Sequence, residues 1–199
     1  MPLEGVEMQN VLLRPATIED APVFRRVFEL AGEGLAQWVW QQSATEEMDA
    51  AAIGLQRCEK KLADAPPGTA IVAEVDGQVA GGVITYDIGD TPEEIEDDTP
   101  GVFVPLIELE NRALRTHYVN ALAVFPAFQG RGVGRKLLRA AEANALENGM
   151  SLIAEDANAN AIGLYQSEGY VETARLPVVE GAGWTSPGQN WILMIRPPA

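Results

Sequence analysis

The chain has 199 residues, 47% of them hydrophobic and 22% charged, which is the balance of a soluble globular protein with room for one well-buried core. A formal net charge of −15 excludes a broad phosphate-binding surface, since nucleic acid must be met by Lys and Arg. No apolar run reaches the roughly 18–20 residues of a membrane span. Residues 1–10 lack the basic and apolar regions of a signal peptide. The single cysteine, Cys58, makes neither an internal disulfide nor a cysteine-rich zinc site. A reduced, cytoplasmic setting follows, with no metal, no nucleic acid and no membrane partner.

In chain order, Val11–Arg14 reads as a first strand. Thr17, with Asp20 three residues on, opens a helix whose apolar stripe is Val23, Val27, Leu30 and Ala31. A second helix covers about Thr45 to Leu62, with Met48, Ala52, Leu55 and Leu62 at helical spacing, and Pro66-Pro67-Gly68 stops it. Ala70–Val75 and Val79–Tyr86 flank Asp76-Gly77, a hairpin signal. Val104–Arg115 is predicted helical and Tyr118–Phe125 a long strand ending at Pro126. Val133–Asn148 is a helix closed by Gly149, Leu152–Glu155 a strand and Ala159–Ser167 a short helix. Gly169-Tyr170-Val171 opens a further strand, and Trp191–Ile195 is the last. This order predicts a mixed α/β sheet with helices on both faces. A single domain over 1–199 is expected, with a flexible N-terminus over 1–10 and an acidic loop insertion over 87–103.

Charge is unevenly spread. No Lys or Arg lies between Lys61 and Arg112, and Asp87 to Glu110 carries nine acids. Arg112, Arg115, Arg131, Arg135, Lys136 and Arg139 then supply six of the 14 bases, which places any anionic ligand nearby. The acidic segment reads either as a solvated loop or as a wall that attracts a cationic amine.

Gln129-Gly130-Arg131-Gly132-Val133-Gly134-Arg135 joins an apolar strand to an amphipathic helix. Glycines at 130, 132 and 134 allow positive φ and close approach of a ligand, so several amide N–H groups can converge on one anion at a helix N-terminus. A plain tight turn needs only one or two glycines. The P-loop pattern is absent, and Gly-x-Gly-x-Gly differs from the dinucleotide pattern Gly-x-Gly-x-x-Gly.

These residues resemble the GNAT superfamily of N-acetyltransferases. The resemblance rests on Val119-x-x-Leu122-Ala123-Val124-x-Pro126-x-x-Gln129-Gly130-x-Gly132-x-Gly134, then Leu137-Leu138, then Asn158-x-x-Ala161-x-x-Leu164-Tyr165-x-x-x-Gly169-Tyr170. Leu13-Arg14-Pro15-Ala16-Thr17-x-x-Asp20 adds the family's opening. The resemblance implies a mixed, mostly antiparallel sheet that opens in a V beside the Tyr118–Phe125 strand. Into that V the pantetheine arm of acetyl-CoA, the co-substrate, inserts like an extra strand. Leu122, Ala123 and Val124 would hold the arm, with the Leu122 N–H facing the acetyl carbonyl. Gln129, Gly130, Arg131, Gly132, Val133, Gly134 and Arg135 would cradle the pyrophosphate. Asn158 matches the residue that hydrogen-bonds the arm, and Tyr165 the general acid.

The chemistry is consistent with that assignment. Attack of an amine on a thioester builds negative charge on the carbonyl oxygen, which a fixed N–H stabilises, and the leaving thiolate gains from a proton. The proton acceptor stays open. Some family members carry a glutamate four residues before the Leu122 position, where this chain has Tyr118. His117 should point away from Tyr118, Asn120 should share a face with Leu122 and orient a water, and Glu108, Glu110, Glu155 and Asp156 are further candidates. Asn158 also suits a helix cap, and Tyr165 a buried aromatic. The leading expectation is transfer of acetyl to a primary amine of a small molecule or peptide, with a homodimer open to it. A non-catalytic acyl-CoA-binding module is the alternative on the same fold, and a nucleotide-binding oxidoreductase is disfavoured by the glycine spacing.

Overall fold

The computed structural model describes residues 10–198, so the expected flexible N-terminus lies outside the described residues except for Asn10. Seven strands form one sheet: β1 (Val11–Pro15), β2 (Ala70–Val75), β3 (Gln78–Asp87), β4 (His117–Val124), β5 (Met150–Glu155), β6 (Val171–Pro177) and β7 (Asn190–Arg196). Their order is β1-β2-β3-β4-β5-β7-β6, and every pair is antiparallel except β4–β5. The mixed, mostly antiparallel sheet is the one expected. Asp76 and Gly77, both with positive φ, make the tight turn of the β2–β3 hairpin.

Helices α1 (Ala21–Ala31), α2 (Leu35–Gln42), α3 (Ala50–Asp64) and α4 (Val104–Glu110) cover one face, and α5 (Val133–Ala141) and α6 (Ala159–Ser167) the other. On the first face Phe24 and Val27 of α1 and Cys58 of α3 pack on Val72, Ile84, Ala121 and Ala123. Farther along it, Leu35, Leu109, Trp184, Trp191 and Leu193 form a second cluster. On the opposite face Leu137 and Leu138 of α5 meet Val119, Leu152, Met194 and Tyr170. Thr17 heads a 3-10 turn, Ile18–Asp20, that leads into α1, in place of capping α1 itself: the Thr17 N–H donates to Asp20 (2.8 Å), and the Arg14 guanidinium grips both Asp20 oxygens at 2.8 Å. Foremost through those Arg14 bonds, the Asp20 carboxyl is held below the usual carboxylate range.

Several helices differ from the sequence expectation. Leu35–Gln42 is a helix of its own, anchored by Trp40, whose ring fills the space where a Cβ on Gly54 of α3 would stand. Helix α3 starts at Ala50, because the Asp49 carboxylate accepts the Ala52 N–H (2.8 Å) and ends the preceding turn. Its buried stripe is Ile53, Gly54 and Cys58, with Leu55 and Leu62 half-buried and Met48 and Ala52 exposed. Helix α4 stops at Glu110 and α5 at Ala141. Beyond α5, Asn144 donates to the Gly68 carbonyl (3.1 Å) and Asn148 to the Leu114 carbonyl (2.8 Å). These tertiary bonds draw the chain off the helix axis, and Gly149 closes a turn into β5 in place of a helix cap.

Two irregularities in β4 position the site. The β3–β4 register passes from Ile84↔Ala121 to Thr85↔Val119, so Asn120 is an extra residue without a strand partner, a β-bulge. Pairing of β4 with β5 covers only His117–Val119 against Met150–Leu152. Beyond that point β4 follows β3 to Val124 while β5 follows β7 to Glu155, and the sheet opens in a V.

Candidate active site

The V is a cleft of ≈ 800 Å³. One wall is β4 from Val119 to Val124, the other β5 from Leu152 to Glu155. The Gly130–Arg135 turn closes one end, and Leu30, Ala31, Glu33 and Trp191 stand at the other. Every residue expected to hold acetyl-CoA or to act beside its thioester (Asn120, Leu122 and Tyr165 included) lines this cleft except Arg131, which is exposed and lies with its guanidinium carbon 5.6 Å from the centre of the Phe128 ring.

The turn is built by backbone conformation. Gly130 (φ 74°) and Gly132 (φ 75°) are left-handed, and a Cβ on either would meet nothing within 4 Å, so the space beside both is open. Gly132 opens α5, whose first amide groups face the same end of the cleft and favour an anion. Gly134 differs from the expectation. It is helical, and a Cβ there would stand 3.3 Å from Leu164 and 3.5 Å from Val124, so this glycine serves close packing of α5 on α6 and β4. Val133 is a core residue at the same place, and Gln129 braces the turn by donating to the Val124 carbonyl (3.1 Å).

Most of the bases that follow the acidic segment are already paired. Arg135 and Arg139 both bind the buried carboxylate of Glu168, at 2.7 and 2.6 Å, Arg115 pairs with Glu147 at 3.2 Å, and Arg112 lies 4.0 Å from Glu108 on the surface. Of these only Arg135 lines the cleft, beside Gly130, Gly132, Val133 and Gly134 of the turn.

On the far wall, Asn158 caps α6 by accepting the Ala161 N–H (3.1 Å) and donates its amide to Glu33 (3.2 Å). The Tyr165 ring is buried 5.9 Å from that of Tyr170, and desolvation pushes its phenol up to about 12, which keeps it protonated at neutral pH.

The family model described as the acetyltransferase (GNAT) family matches residues 32–170. The protein belongs to that family. Its fold is similar to that of PH1933 from Pyrococcus horikoshii OT3 (15% identity, 96% of this chain and 99% of that one, TM-score 0.60). It is similar also to the ribosomal-protein-S18-alanine N-acetyltransferase from Escherichia coli (19%, 94% and 94%, TM-score 0.55). A third likeness is to yncA, a putative acetyltransferase from Salmonella typhimurium solved with its cofactor acetyl-CoA (23%, 92% and 91%, TM-score 0.56). No curated protein matches the chain. Acetyl-CoA is the co-substrate of a GNAT acetyltransferase, and the open space beside Gly130 and Gly132 together with the edge of β4 left unpaired on its β5 side fits a pyrophosphate and an extended arm.

Among the remaining candidates in this acetyltransferase, most are occupied in structural roles. His117 is buried between Asp87 (2.6 Å) and Thr85 (2.7 Å), and points away from Tyr118, as alternation predicts. Asn120 does not share a face with Leu122. The bulge turns it to Lys61 of α3 (Nζ to Oδ1 3.0 Å), while Leu122 packs toward α5. Glu110 accepts the Tyr86 hydroxyl (2.7 Å) and lies outside the cleft lining, its carboxyl raised by burial. Asp156 braces Gln189 and Asn190 at 2.8 and 2.7 Å. No residue from Asp87 to Asp98 lines the cleft, which overturns the acidic segment as an acceptor wall; Glu93 is tied instead to Asn111 by bonds of 2.8 and 2.9 Å.

The carboxylates that do line the cleft are Glu155 and Glu33. Sequence reasoning missed Glu33, and the signal it left was its position between Gly32 and Gly34. Its own φ of 46° puts it among the few non-glycine residues in the left-handed region, a conformation that a functional turn can retain.

Proposed function

We propose that the protein moves an acetyl group from acetyl-CoA to a primary amine of a small molecule or peptide by direct attack in a ternary complex. The observation that carries this reading is the continuous cleft that runs through the sheet, from the glycine turn on the α5 face to the Glu33–Trp191 end on the α1–α4 face. Donor and acceptor can enter from opposite sides and meet beside Leu122. Among the relatives, the Escherichia coli enzyme is named for an alanine of a ribosomal protein, in keeping with an amine acceptor.

When bound, acetyl-CoA supplies an activated thioester carbonyl. The Leu122 N–H donates to the oxygen on which charge develops. Ala123 and Val124 continue the wall that holds the arm, and Asn158 steadies it from the other side. The backbone amides from Gly130 to Val133, with Gln129 and Arg135 beside them, receive the pyrophosphate, while Gly134 lets α5 pack closely on α6 and β4. Tyr165 gives its phenolic proton to the departing sulfur. Asn120, held by Lys61, borders the reacting centre.

Release of free thiol from acetyl-CoA, assayed over a panel of primary amines, tests the reading. Tyr165→Phe should lower kcat by about 10²–10⁴ while acetyl-CoA affinity stays within about twofold. Wild-type kcat in that variant, with chemistry rate-limiting, would make Tyr165 only a core aromatic.

A further inference from the structure

Two buried polar atoms at the α1–α4 end of the cleft have no hydrogen-bond partner among the described residues: Glu155 Oε2 and Trp191 Nε1. Their residues are 3% and 6% exposed, both line the cleft, and they stand directly opposite each other across the β5–β7 pair, so they share a face of the sheet. An unsatisfied buried acceptor and an unsatisfied buried donor each carry a desolvation cost, and such groups persist where a ligand completes them.

The surroundings are built to hold this pair. Glu155 Oε1 accepts from the Ser186 hydroxyl and the Gly188 N–H, which fixes the carboxylate and leaves Oε2 as the oxygen with capacity to spare. The segment bearing Ser186 is clamped to the α1–α2 turn and to α2: Trp184 donates to the Glu33 carbonyl (3.2 Å), and Trp38 of α2 donates to the Ala182 carbonyl (2.9 Å). Glu33 is thereby held beside the same opening, its carboxylate steadied by Asn158.

We propose that Glu155 and Trp191 form the acceptor subsite, where Glu155 takes the proton of the incoming ammonium and the Trp191 N–H bonds a carbonyl oxygen on the carbon next to the amine-bearing one. This rests on the acetyl-transfer reading above. It narrows the substrate class to α-amino carbonyl compounds, of which a peptide N-terminus or an amino-acid amide is the simplest form.

The charges around Glu155 suit the role. Burial, foremost, raises its carboxyl, while the Gly188 N–H lowers it and the carboxylates of Glu33 on the α1–α2 turn and Asp156, just past the end of β5, raise it again. Arg175 of β6 lies 3.8 Å from Asp156 and offsets that charge. In the step itself the amine nitrogen bonds to the acetyl carbon and the carbon–sulfur bond breaks. Of the two protons that nitrogen loses, one goes to Glu155 Oε2. The other replaces the phenolic proton that Tyr165 has given to sulfur.

The test uses the full chain with acetyl-CoA and two probes, glycinamide and propylamine, and reads kcat/KM by thiol release as a function of pH. Glu155→Gln should lower kcat/KM for glycinamide by about 10²–10³ at neutral pH, and the deficit should shrink as pH approaches the amine's own pKa. Acetyl-CoA should stabilise this variant as it does the wild type, which reports a folded donor end. Glu155→Asp, which keeps the carboxylate, should restore part of the loss. Trp191→Phe should cut the glycinamide-to-propylamine ratio by about tenfold relative to wild type, an effect that a merely structural role leaves unmoved. Wild-type activity and pH dependence in Glu155→Gln, or an unchanged ratio in Trp191→Phe, would overturn the subsite while leaving acetyl transfer intact. A wild-type chain that binds acetyl-CoA and acetylates no amine would overturn both.

Discussion

The two ends of the cleft are made of different material. At the α5 end the working groups are backbone amides, exposed by Gly130 and Gly132 in the left-handed region and aligned by the start of a helix. At the other end they are side chains, drawn from the α1–α2 turn, the end of β5, the segment before β7 and β7 itself. An amide site must be local, because consecutive peptide groups have to point at one anion. A side-chain site needs only that strands distant in sequence become neighbours in the sheet. The first leaves a contiguous motif in the sequence and the second leaves scattered residues.

Glycine substitutions break this comparison most sharply. Gly132→Val forces a β-branched residue into φ 75° beside the open space of the turn. Where wild type gains about 2.7 kcal/mol from acetyl-CoA at a hundred times its Kd, this variant should gain almost nothing, measured as the ligand-induced rise in Tm. Gly134→Val acts by another route. It crowds Leu164 and Val124, and should cost about 1–3 kcal/mol of stability in denaturant unfolding while keeping a measurable acetyl-CoA shift. Equal loss of that shift in the two variants would erase the distinction between a ligand-facing and a packing glycine.

The smallest effect is expected from the acidic segment. Replacing Glu93, Glu94, Glu96, Asp97 and Asp98 with the neutral amides should leave kcat/KM for the best amine within about twofold, because none of these residues borders the cleft. A marked fall that shrinks at high salt would restore the segment as an electrostatic guide and weaken the place given to Glu33 and Glu155.

Much of the fold was legible because its signals were short-range. Asp76-Gly77 sets the hairpin, Thr17 with Asp20 starts the 3-10 turn that leads into α1, and Asn158 heads α6 over the range its sequence predicts. Other features depend on partners far along the chain. Leu35–Gln42 is helical in a context where Trp40 has Gly54 to pack on, and the end of α5 answers to bonds from Asn144 and Asn148 to other segments. The Asn120 bulge follows from the β3–β4 register, so strand alternation read from β4 alone put its side chain on the wrong face. The same reasoning divides the site. The glycine turn, Leu122, Asn158 and Tyr165 sit in two compact motifs, whereas Glu33 and Trp191 become visible only once the sheet is assembled.

The most direct measurement follows the acetyl group itself. Acetyl-CoA labelled in the acetyl carbon is incubated with the protein and glycinamide, and the label is located by mass spectrometry. The account predicts label on the amine nitrogen of glycinamide, none retained on the protein, and loss of transfer in both Gly132→Val and Glu155→Gln. Label held covalently on the protein, or transfer undiminished in both variants, would contradict it.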